Sequence, residues 1–111
     1  MTLPDIAGKE TAVRTKVIDA LRIVLDPELG INIIDMGLVY SVEVDEEKKS
    51  IELDMTLSSP ACPMGTSIVS AVENCLTHYF DQFTRSVNLV WEPAWSYERI
   101  TEEGKQLLGN E

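Results

Sequence analysis

The sequence predicts an α+β fold, a small two-layer sandwich with element order α-β-β-α-β-α and a three-stranded mixed sheet covered by helices on one face. Three observations predict it. Apolar residues recur at helical spacing over positions 11–25 and 63–80; they alternate with period two over 38–57 and 86–91; and 111 residues are the length of a single domain.

In the first helix, Val13, Val17, Ala20, Leu21 and Val24 form one stripe, and Asp26-Pro27 is expected to end it because the proline ring disfavours helical backbone before it. Glu28-Leu29-Gly30 then makes a turn. Leu38, Tyr40, Val42 and Val44 line one face of a strand, as do Ile51, Leu53, Met55 and Leu57 of the next. The charged run Asp45-Glu46-Glu47-Lys48-Lys49 between them suits the exposed tip of an antiparallel hairpin. Ser58-Ser59-Pro60-Ala61-Cys62-Pro63 breaks the strand, and Ile68, Val72, Cys75, Leu76 and Tyr79 mark the buried face of the second helix. Val87, Leu89 and Trp91 alternate in a third strand, which a right-handed crossover would set parallel to the second. A last short helix spans 101–108, capped by Thr101 and stopped by Gly109. All 111 residues form one domain, with 1–10 expected to be a flexible N-terminal segment.

Composition limits the functions open to such a domain. Hydrophobic residues are 44% and charged residues 25% of the chain, a globular balance that excludes disorder and low complexity. Nineteen acidic against nine basic residues give a net charge of -10, which repels phosphate backbones and anionic headgroups, so neither nucleic acid nor a membrane is the expected partner. No stretch approaches the ~20 apolar residues of a membrane helix, residues 1–10 show neither a basic n-region nor an apolar h-region, and a cytoplasmic protein is expected. Two cysteines without a C-x-x-C pair make neither a disulfide scaffold nor a zinc finger.

Cys62 is the most informative position. Pro63 fits the first residue of a helix, so the thiol stands at or beside the N-cap, where free amides and the helix dipole favour the thiolate that attacks electrophiles and binds metals. A small, partly buried residue in a tight loop is the alternative. Cys75 falls on the apolar stripe and is expected to be a core thiol. A continuous helix would separate the two cysteines by roughly 20 Å, far beyond the ~7 Å Cα limit for a disulfide, and would carry His78, the one histidine, roughly 24 Å from Cys62. Asp26, Glu28 and Asp35 surround a proline-glycine turn, as carboxylates for acid–base work or a hard cation do, although Asp26 could equally bond the turn backbone. Trp91 is expected in the core, whereas Trp95 suits either a contact surface or a lid over it. No Gly-rich phosphate loop, G-x-S-x-G elbow or metal-spaced histidine set occurs.

Taken together, Asp26-Pro27-Glu28-Leu29-Gly30, Ile34-Asp35-Met36-Gly37-Leu38-Val39-Tyr40, Met55-Thr56-Leu57 leading into Cys62-Pro63, and Glu92-Pro93-Ala94-Trp95 carry a likeness. In order and spacing they resemble the SufT-like iron–sulfur assembly proteins, a family that includes the PaaD-like proteins and a eukaryotic cytosolic branch. The resemblance spans nearly the whole chain. It implies an iron–sulfur assembly domain-like α+β fold and a role in cluster assembly or maturation, with Cys62 as the family's cysteine and Asp26, Glu28, Asp35 and Trp95 in supporting loops. The 111 residues hold no cysteine-rich extension like that of the PaaD-like proteins, so the resemblance is expected to be to the assembly branch. Ala94 for a common proline and Ser58-Ser59 for a common threonine are mild departures.

A cluster normally takes four protein ligands, and this chain offers one well-placed thiol. Three modes follow from the resemblance: a homodimer bridging a labile iron–sulfur cluster through two Cys62 thiolates, transient contact of Cys62 with an assembly protein or apo-client, or a metal-free adaptor. The rivals are a thiol enzyme with Cys62 as nucleophile, for which His78 is badly placed as a base, and an accessory subunit of a multicomponent oxygenase.

Overall fold

A computed structural model describes residues 6–9, 11–27, 29–58 and 65–107. Cys62, Glu28, Pro63, Leu108 and Gly109 lie outside the described residues.

Helix α1 is Ala12–Leu21, and its N-cap Thr11 accepts a hydrogen bond from the Arg14 amide at 3.1 Å. It ends one turn before Asp26-Pro27. Ile23 and Val24 donate to the carbonyls of Ala20 and Leu21, three residues back, which tightens the helix into a turn. The chain then enters a ribbon absent from the predicted order: β1 (Leu25–Asp26) pairs antiparallel with β2 (Ile31–Asn32), and the Gly30 amide donates to the Asp26 carbonyl at 2.7 Å. Val24 is buried three residues after Leu21, so the apolar period runs on past the helix end.

The sheet is three-stranded and mixed, as predicted, in the order β3-β4-β5. Strands β3 (Val39–Asp45) and β4 (Ser50–Met55) form the antiparallel hairpin, whose charged turn is fixed by the Lys48 amide donating to Asp45 Oδ1 at 3.0 Å. Val42, Ile51, Leu53 and Met55 point into the core. The expected alternation fails at one place. A register shift between Val39 and Ser41 makes Tyr40 an extra residue, so Leu38 and Val39 are both buried and Tyr40 turns out to reach the Pro93 carbonyl at 2.8 Å.

Helix α2 (Gly65–Tyr79) crosses from β4 to β5 (Thr84–Leu89), which lies parallel to β4. Ile68, Val72, Cys75 and Leu76 face the core, but Tyr79, at the helix end, is 53% exposed. Strand β5 begins two residues earlier than its alternation suggested and stops at Leu89. Trp91, expected in the core, is instead 42% exposed, because it lies beyond the last strand pair where the chain turns at Glu92-Pro93. A single 3₁₀ turn (Tyr97–Arg99) precedes α3 (Glu102–Leu107), whose Gly104 amide donates to Thr101 Oγ1 at 3.1 Å, the expected cap. This helix packs on β2 rather than on the sheet.

Of the N-terminal segment 1–10, the described residues 6–9 make a strand-like contact with the β3 edge. Ala7 exchanges backbone bonds with Tyr40 and Val42, and buried Arg14 donates to the carbonyls of Ile6, Ala7 and Val42. Among the described residues no helix is long and apolar enough to cross a membrane.

Candidate functional site

Of the three carboxylates grouped by sequence, Asp35 is the best defined. It is nearly buried, and its side chain accepts from Arg22 Nη1 at 3.1 Å, Asn32 Nδ2 at 2.8 Å and Thr101 Oγ1 at 3.0 Å. Its backbone joins the same knot: the Asp35 amide donates to Asn32 Oδ1 and its carbonyl accepts from the Thr101 amide, each at 2.8 Å. Burial pushes the carboxyl up, but the hydrogen bonds from Asn32, Thr101 and Arg22, with the Arg22 charge, outweigh it and hold the group below its ordinary value. Asp35 therefore stays ionised, with its oxygens committed to joining the end of α1, the 32–37 turn and the start of α3. Asp26 is fully buried in β1. Among the described residues, no three His, Cys, Asp or Glu side chains gather as a metal site.

The Asp35 knot also sets an aromatic surface. Met36 follows it directly, and its carbonyl accepts from the Trp95 indole Nε1 at 2.7 Å. Trp95, half-buried, packs against the core and lines an open cavity of about 290 Å³ with Thr56, Leu57, Ser58, Trp91 and Ala94. Ser58 is the last described residue before the segment 59–64 that carries Cys62, so this cavity stands at the root of that segment. Exposed Tyr97 extends the surface, its ring centroid 5.5 Å from that of Trp95. On the other side, the Tyr40 hydroxyl holds the Pro93 carbonyl and Arg99 stacks 4.5 Å above the Tyr40 ring.

Cys75 is a core thiol, as expected. It is buried, its Sγ donates to the Ala20 carbonyl at 3.3 Å, and burial pushes the thiol up, away from the thiolate that would bind metal. His78 is exposed in the last turn of α2, about 20 Å along the helix axis from Gly65, where the described part of the helix begins. Sequence reasoning missed Trp91, Leu89 and Tyr97 as surface residues. The available signal was Glu92-Pro93, which ends the strand before a second layer can cover Trp91.

Comparison with known proteins identifies the family and supports the fold. A sequence profile described as iron-sulfur cluster assembly protein matches residues 14–87. The chain is 43% identical over 86 residues to the Fe-S protein maturation auxiliary factor SufT of Staphylococcus aureus, covering 78% of this chain and 97% of that one. It is 36% identical over 100 residues to the Fe-S protein maturation auxiliary factor YitW of Bacillus subtilis, covering 90% and 97%. The crystal structure of a domain of unknown function from Bacillus anthracis superposes with a TM-score of 0.83 at 40% identity, over 88% of this chain and 92% of that one. With two-thirds of its length inside the profile and relatives matched over nearly their whole length, this chain belongs to the iron–sulfur cluster assembly protein family.

Proposed function

We propose that this chain is a cytoplasmic auxiliary factor in the maturation of iron–sulfur proteins, recognising assembly proteins or apo-clients at the surface around Cys62 and offering that thiolate to a cluster in transit. The carrying observation is the open aromatic cavity at the root of the Cys62 segment, together with two close relatives named as maturation auxiliary factors. An exposed apolar surface of this kind serves protein recognition.

The donor set argues against a resident cluster. Four thiolates are the usual requirement; of the two cysteines, Cys75 is spent on the core, which leaves Cys62. The cluster is therefore cargo, held mainly by ligands of the carrier or client. Anaerobic reconstitution of the purified chain with iron and sulfide tests this division of labour. Wild type and Cys62→Ser are both expected to emerge without stoichiometric bound iron, whereas stoichiometric, Cys62-dependent visible absorption in a dimer would make the protein a cluster carrier instead.

A further inference from the structure

The aromatic cavity carries information about the partner that docks there. Leu57, Trp91, Ala94 and Trp95 line it and Tyr97 adjoins Trp95, so the apolar surface is continuous. It is also held in place before any partner arrives, through Trp95 Nε1 on the Met36 carbonyl and the Tyr40 hydroxyl on the Pro93 carbonyl. A pinned aromatic surface loses little entropy on binding, and tryptophan and tyrosine are the side chains that most often dominate protein interfaces. At about 290 Å³ the cavity falls just below the ~300–1,000 Å³ typical of ligand pockets, a size for one or two side chains rather than a whole cofactor.

The charge along it is predominantly acidic. Glu92 and Glu98 are exposed within the run from Leu89 to Glu98, which contains no lysine or arginine; Arg99, next in the chain, keeps its charge over the Tyr40 ring, so two carboxylates stand against one guanidinium. A second copy of this chain would bring the same carboxylates and a net charge of -10 against its own. Charge complementarity instead favours a basic partner. We infer that this surface docks a segment of an apo-protein in which a large apolar side chain is flanked by lysine or arginine. The identity of the partner as an apo-protein rests on the maturation reading; the surface and its charge preference do not.

Fluorescence anisotropy of the full chain with a labelled peptide, a Leu-Phe pair flanked by arginines on both sides, tests the inference. Saturable binding is expected, weakened at least ~10-fold by Trp91→Ala and several-fold by Glu92→Gln combined with Glu98→Gln. Glu46→Gln with Glu47→Gln, at the hairpin tip, is expected to change it less than about twofold at physiological salt, and a glutamate-flanked peptide should not bind. Unfolding midpoints of the variants confirm that each is folded. Unchanged affinity in Trp91→Ala would overturn the inference, as would an equal loss in the hairpin variant, which would reduce binding to net charge. A homodimer seen by sedimentation in the wild type and lost in Trp91→Ala would likewise overturn it. Cys62→Ser should bind the peptide like wild type, so a surface that binds while the chain fails to support maturation separates failure of the functional reading from failure of this one.

Discussion

Asp35→Ala is expected to lower the folding free energy by about 3–5 kcal/mol, moving the urea midpoint down by ~2 M with little change in slope. The change leaves Arg22, Asn32 and Thr101 facing a cavity where an ionised acceptor stood, and it unties three segments at once. The pH dependence has a definite sign. Because the folded carboxyl lies below its ordinary value of 3.8, its contribution is fully present above about pH 4 and is lost as the pH falls through the lower folded value. Wild type should therefore lose stability on acidification below pH ~4 more steeply than Asp35→Ala, as urea titrations at a series of pH values would record. The variant should also loosen the aromatic surface, since Met36, which holds Trp95, follows Asp35 in the same turn.

Gly37→Ala is expected to be comparably damaging, at about 3 kcal/mol or more, through backbone rather than charge. Gly37 sits at φ 76°, a region that costs an L-residue roughly 1–2 kcal/mol, and an added Cβ would fall on the Arg99 carbonyl oxygen and 2.8 Å from Arg99 Cβ. The 3₁₀ turn would have to move away from the 32–37 turn. Gly30→Ala is the matched control: φ is 72°, but nothing lies within 4 Å of the added atom, so its cost should stay near 1 kcal/mol. Thermal or urea unfolding of the pair separates conformational strain from collision, and equal losses would show that the contact with Arg99 matters little.

Much of the scaffold was readable because its periods are clean. Ile51, Leu53 and Met55 alternate without interruption, and Ile68, Val72, Cys75 and Leu76 hold one helical face, so β4, α2 and the core role of Cys75 followed from spacing alone. The failures have equally local causes. Helix α1 was overextended because buried Val24 keeps the helical rhythm after the chain has turned, and two-residue strands such as β1 and β2 are too short to show a period. Tyr40 defeated the alternation through the bulge, and Trp91 through the early end of β5.

The site was less readable than the scaffold. Asp35 stood out in the sequence as a carboxylate near a turn, but its structural task depends on Thr101, 66 residues away, and on Arg22, thirteen residues before it. No local pattern records such partners. The aromatic surface likewise assembles Leu57 and Ser58 from the end of β4 with Trp91 and Trp95 from beyond β5, and only the parallel pairing of those strands brings them together. Cys62 was picked out by its place before a proline expected to start a helix and by family resemblance.

The most direct test of the proposed role is the specific activity of an iron–sulfur hydro-lyase, per mole of its polypeptide, in bacterial cells that lack their own family member and are supplied with this chain. Wild type should restore that activity, and Cys62→Ser, accumulating to the same level, should leave it at the deficient value. Equal restoration by Cys62→Ser would contradict the account and leave Cys62 without a part in maturation.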